Sequence, residues 1–210
     1  MTIDDRLREG YANFKASTFE KDKALYSELA ENGQKPHTLV ISCSDSRVPP
    51  QHILSADPGD LFVVRNVAAS VSENGDDTAD NSTAAAIEFA VTALGVDNII
   101  IIGHTGCGGV ASVIDDSVPH ESFVGKWMAP LRSWLSANDV AKDKSNSERK
   151  AWLEKAAVNR SLNNLKTFPF VAERAGAGTL QLKGFIFNIQ TGDLSEVVPV
   201  EDGSYSLAAL

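Results

Sequence analysis

The stretch Asn98-Ile99-Ile100-Ile101-Ile102-Gly103-His104 is four isoleucines in a row, closed by a glycine and a histidine. It is too short for a helix and has no helical period. A short unbroken apolar run of this kind reads as a strand buried on both faces, the usual environment in a parallel sheet. Upstream, Thr38-Leu39-Val40-Ile41 opens after Pro36 and ends at Ser42-Cys43 in the same manner. Leu61-Phe62-Val63-Val64 reads as another strand, and Phe185-Ile186-Phe187 as a fourth. Val197-Val198 is a fifth candidate at an edge. Between the strands lie helical patterns. Ser82 to Leu94 carries Ile87, Ala90, Val91 and Leu94 on one face, with Gly95 as its stop. A short helix is expected from Gly108-Gly109-Val110, and Trp127, Leu131, Trp134 and Leu135 mark another. Ser145 and Glu148 form a capping box for a longer helix that stops before Pro169. Residues 48–60 and 71–82 are turn-like.

Strands alternating with crossovers and helices predict an α/β fold: a mostly parallel sheet of four strands plus the edge candidate, flanked by helices. Two thin apolar stripes, Leu7/Tyr11/Phe14 and Leu25/Tyr26/Leu29, predict an N-terminal helical arm that packs on a neighbouring surface. Residues 1–35 are read as this arm and 36–210 as one α/β domain. In such sheets the chemistry lies beyond the carboxyl ends of the strands.

Composition narrows the function. The net charge is −9, with 28 acids against 19 bases, which disfavours nucleic acid and anionic membranes as partners. No apolar run approaches the roughly 18 residues of a spanning helix. The acidic N-terminus has no apolar h-region, so the cytoplasm is the expected compartment. The two cysteines lie far apart, in Gly- or Ser-rich surroundings. In a reducing compartment they are better read as metal ligands or catalytic groups than as a disulfide.

Cys43 ends the first strand, and His104 and Cys107 end the third. If those strands are neighbours, two thiolates and an imidazole converge at one sheet edge. That set matches a catalytic zinc with its fourth position open; a structural zinc would normally use four Cys or His ligands. Of the remaining histidines, only His52 lies near a ligand loop, and it is read as a loop residue with at most a minor part in proton traffic. Asp45 and Arg47 follow Cys43 closely. Arg47 can hold Asp45 ionised in a bidentate pair, so that the carboxylate accepts the proton of a zinc-bound hydroxide. Alternatively, Asp45 itself fills the fourth zinc position and shuts off catalysis.

Three segments together carry a resemblance: Cys43-Ser44-Asp45-Ser46-Arg47-Val48-Pro49, Val63-Val64-Arg65-Asn66-Val67-Ala68 and Gly103-His104-Thr105-Gly106-Cys107-Gly108-Gly109. In order and approximate spacing they resemble the β-class carbonic anhydrases, and Gly184 to Gly192 resembles the family's last core strand and turn. The resemblance implies reversible hydration of carbon dioxide to bicarbonate and a proton. It implies one zinc per chain on Cys43, His104 and Cys107, with Asp45 and Arg47 as the orienting pair. Gln34 stands where plant-like members place a pocket glutamine that reaches across a dimer. Phe62, Val67 and Gly108 fall on substrate-pocket positions, and Phe89 replaces a tyrosine of some members. A homodimer or higher even-numbered oligomer is implied. Some members also close the site when bicarbonate enters a Trp/Arg/Tyr pocket; here the Trp position is Val40, so Asp45 is expected to stay on Arg47. A cysteine phosphatase is disfavoured because only three residues separate Cys43 from Arg47. The ordinary form of the Cys43–Arg47 segment disfavours carbon disulfide or carbonyl sulfide as substrate.

Overall fold

The computed structural model describes residues 2–75, 81–139 and 141–210. Part of the turn-like stretch expected at 71–82 therefore lies outside the described residues. The chain opens with α1 (Ile3–Phe14) and α2 (Glu20–Asn32), joined without a break by a π-helical turn. Thr2 and Asp5 close a capping box on α1. No residue of either helix is buried, and Ile3, Leu7, Tyr11 and Phe14 are exposed. The arm is held to itself by Phe14, Phe19 and Tyr26, whose rings lie 5.2–6.3 Å apart. Leu29 packs against Gly59, where a Cβ would stand 2.9 Å from the leucine.

Then follow β1 (Thr38–Cys43), the short α3 (Pro50–Ile53), β2 (Leu61–Asn66), α4 (Asn81–Glu88) with its π-helical continuation to Leu94, and β3 (Asn98–His104). Gly95 ends that helix in the left-handed conformation, as expected. Next come α5 (Gly108–Asp115), α6 (Phe123–Asn138), α7 (Asn146–Leu165) and α8 (Pro169–Gly176). The chain closes with β4 (Gln181–Phe187), β5 (Leu194–Pro199) and β6 (Tyr205–Ala209).

The sheet runs β2-β1-β3-β4-β5-β6. The first three junctions are parallel, and β5 and β6 fold back antiparallel. The expected neighbours are confirmed: Ser42 on β1 stands level with Ile102 on β3. α7 ends at Leu165, before Pro169 as expected, and Pro169 itself supplies the first turn of α8, where a missing N–H costs nothing. Two expectations need correction. Among the described residues the sheet has a sixth strand, Tyr205–Ala209, because Tyr205 packs beside Trp152 while the rest of β6 is exposed and leaves little apolar pattern. Residues 50–53 are helical rather than irregular.

Alternation along β1 and β3 sends Leu39, Ile41, Ile99 and Ile101 into an apolar core. The helix α7 lies directly on the sheet. A Cβ at Gly103 or Gly184 would stand 2.6 or 2.5 Å from Val158 of α7, so only glycine permits this approach. A second apolar cluster, which includes Val48, Val110, Met128 and Leu153, surrounds the carboxyl ends of β1 and β3.

Candidate metal centre

β1 delivers Cys43 and β3 delivers His104; the turn after β3 returns Cys107 to the same point. One donor atom from each of the three lies within 4.8 Å of the others. All three residues are buried. The sulfurs of Cys43 and Cys107 are 4.0 Å apart, far beyond disulfide length, and both cysteines are free.

Electrostatics favour negative charge on one of the two sulfurs, Cys43. The S–H of Cys107 turned toward Cys43 holds the Cys43 thiol well below its usual range, against burial. The same contact, with burial, pushes Cys107 up. Burial opposes a charge on His104, but the neighbouring sulfur, the Thr105 carbonyl and the nearby Asp45 carboxylate raise it overall. His104 Nδ1 lies 3.0 Å from the Thr105 carbonyl, which fixes the ring. Its Nε2 is buried with no hydrogen-bond partner. An orphaned imidazole nitrogen beside two soft sulfurs fits zinc: the donor types suit it, and three protein ligands leave a fourth position open.

Asp45 stands at the rim. Its Oδ1 accepts from Arg47 Nε and from the Arg47 backbone N–H, both at 2.9 Å, and its Oδ2 accepts from Nη2 at 2.7 Å. Those hydrogen bonds hold the carboxyl far below the usual range. Oδ2 is also 3.9 Å from His104 Nε2. Thus the sequence-expected pair forms, and Asp45 is directed to Arg47. Val40 is fully buried within β1.

Several supports were not legible in the sequence. Arg65 donates to the carbonyls of Cys43 at 3.0 Å and Asp45 at 2.5 Å, clamping the backbone between ligand and carboxylate. Asn66 braces a tight turn through Ser70, at 2.8 and 2.9 Å. Inside it, Ala68 and Ala69 take positive φ, 65° and 50°. That turn sets Ala68 beside the two cysteines. Glu154 of α7 is 8% exposed, and its Oε1 accepts from the backbone N–H groups of Gly106 at 2.7 Å and Cys107 at 3.2 Å. Burial raises its pKa, partly opposed by those two bonds.

The remaining expected residues are distributed unevenly. Val67 packs in the cluster around the metal group, its carbonyl fixed by Trp127 Nε1 at 2.8 Å. Gly108 begins α5 directly after Cys107. Phe62 and Phe89 meet each other with ring centroids 5.9 Å apart, and Phe89 is 48% exposed. Gln34 is exposed between α2 and β1, and His52 is exposed on α3; neither they nor Phe62, Val67, Phe89 and Gly108 line the cavity directly around the three donors.

Residues 38–194 match the family model described as carbonic anhydrase. The chain belongs to the β-class carbonic anhydrases. Beta carbonic anhydrase 3 of Arabidopsis thaliana is 37% identical to this carbonic anhydrase over 195 residues, 90% of this chain and 74% of the relative. The structure of the β-carbonic anhydrase CcaA superposes with a TM-score of 0.89 at 29% identity, covering 100% of both chains. A tetrameric β-carbonic anhydrase of Sordaria macrospora superposes with a TM-score of 0.81 at 30% identity, covering 92% of this chain and 95% of its own. The enzyme is therefore a lyase that hydrates carbon dioxide reversibly to bicarbonate and a proton, with zinc as its metal.

Proposed function

We propose that Cys43, His104 and Cys107 hold one zinc per chain, and that Asp45 with Arg47 directs the reaction at the open side. The convergence of the three donors, with His104 Nε2 left unpaired, supports the ligand set. Zinc in such a site supplies a hydroxide nucleophile near neutral pH. The chain's own part is orientation. Arg47 keeps Asp45 ionised, so Oδ2 accepts a hydrogen bond from an O–H group beside the donors and turns that oxygen's lone pair outward. Arg65 holds the backbone that fixes this geometry. Phe62, Val67 and Phe89 give carbon dioxide an apolar approach, and Gly108 allows close contact with the backbone. Gln34 reaches a pocket only in a second copy, which its exposed position supports. With Asp45 held by Arg47 and Val40 in place of an indole, the enzyme keeps its open form near neutral pH.

Variant enzymes test these roles. Cys43→Ser should lose most of its zinc by elemental analysis. Asp45→Asn should keep one zinc per chain while hydration falls by about 10²-fold or more, the range for a positioned proton-handling group. Normal zinc content and activity in Cys43→Ser would sink the ligand assignment.

We further propose that residues 1–35 are an arm on a single domain, 36–210, and that the enzyme is a homodimer or tetramer. The exposed stripe on α1 and the tetrameric Sordaria relative support this. The cytoplasm is the proposed compartment, because the two free thiols suit a reducing one. Recovery in an organelle or envelope fraction would overturn it. No helix among the described residues is long and apolar enough to cross a membrane.

A further inference from the structure

Five buried side-chain polar atoms among the described residues have no hydrogen-bond partner: Ser42 Oγ, His104 Nε2, Arg132 Nε and Nη2, and Arg149 Nε. Such an atom in a native protein calls for an explanation, often a water or an ion. The His104 atom belongs to the metal group. Three of the other four belong to two arginines, and both arginines line one surface pocket of about 450 Å³. It lies where the end of α6 meets the loop into α7, and it shares no residue with the pocket around the zinc donors.

Lys142 is a third cation in its wall, and Asp139 is the one carboxylate. Asp139 is already engaged, by Arg149 Nη2 and by the Ala141 backbone N–H at 3.1 Å. Arg132 donates to the Gly125 carbonyl through Nη1, at 3.4 Å, and acts on the Asp116 carboxylate through space. Within the wall itself, three cations against one carboxylate leave two surplus positive charges, with Asp116 outside the wall in the field of Arg132, in a chain whose net charge is −9.

We propose that this pocket binds a phosphate-type oxyanion, either free phosphate or the phosphate group of a small ester. The guanidinium fork matches tetrahedral oxyanions through paired N–H groups. Two surplus charges suit a dianion; bicarbonate would leave one unmatched. The unmatched nitrogens are screened from bulk water, where a charge-assisted hydrogen bond is stronger. Entry of an oxyanion would turn each fork about its own side-chain torsions so that these nitrogens face the pocket.

The test is calorimetric titration of the full-length, zinc-loaded enzyme with inorganic phosphate and, separately, glycerol 3-phosphate, at fixed ionic strength. One saturable site per chain is expected for at least one titrant. Arg132→Gln and Lys142→Gln should each weaken it tenfold or more, with ligand-free melting temperature and hydration activity unchanged. Tighter binding of the ester identifies a metabolite as the source, and tighter binding of phosphate identifies the free ion; either result sustains the site. Absence of saturable binding at millimolar titrant overturns the proposal, as does undiminished binding in both variants. A third result also overturns it: no phosphate binding, but a smaller oligomer in Arg132→Gln. The pocket would then receive a carboxylate from a second copy.

Discussion

Glu154 shows how a residue without contact to substrate can govern a metal site. Its carboxylate is the acceptor for two backbone N–H groups of the loop that carries Cys107. Alanine there would strand both donors in a buried setting, at about 1–3 kcal/mol. Residues that orient metal ligands typically change metal affinity by about 10–100-fold when lost. Glu154→Ala should therefore release zinc to a chelator much faster than wild type. Glu154→Gln keeps an acceptor oxygen and should restore most of the retention. Equal chelator resistance in wild type and the alanine variant would refute this role. The ligands themselves were legible because thiols and imidazoles are scarce and stood at strand ends. Glu154 was not, because one acid in a polar helix looks like any solvent-facing residue. Gln34, Phe62 and Phe89 enter as pocket positions only because the family resemblance implies them.

At the scale of elements, α7 joins the metal loop to the core. It carries Glu154 and packs Val158 on the sheet, and Ser161 and Asn164 bond the backbone of residues 69–71. Its start is fixed by the Ser145–Glu148 capping box, which was readable from sequence and is present. Ser145→Ala should cost about 1 kcal/mol, or roughly 2–4 °C in melting temperature for a chain of this size. Calorimetry that finds no shift would show that packing alone sets the start of α7. The strands β1 and β3 were equally readable, because burial on both faces leaves an unbroken apolar run. The last strand was not: its exposed residues leave no alternation, and it is anchored through Tyr205, Trp152 and the Trp152 indole bond to the Gly203 carbonyl at 3.1 Å. Nor was α8, because Pro169 serves equally as a stop and as a first turn.

The whole molecule leaves an arm with its apolar stripe in water: Leu7 and Tyr11 are each 64% exposed. A neighbouring copy is the surface that would cover it. Replacing both residues with Glu should leave the single-chain fold intact, since neither is buried, and should shift light scattering toward a smaller species. An unchanged assembly would move the interface elsewhere. The seam between helix and sheet reaches further, into the history of the chain. Val158 stands over both Gly103 and Gly184, with Leu162 also close over Gly184 and Ile186 over Gly103, so these positions cannot drift independently. A side chain at either glycine is admissible only in a lineage where residue 158 has already shrunk, and that earlier step opens a cavity and is itself harmful. Any path away from the glycine next to His104 therefore passes first through a destabilised chain.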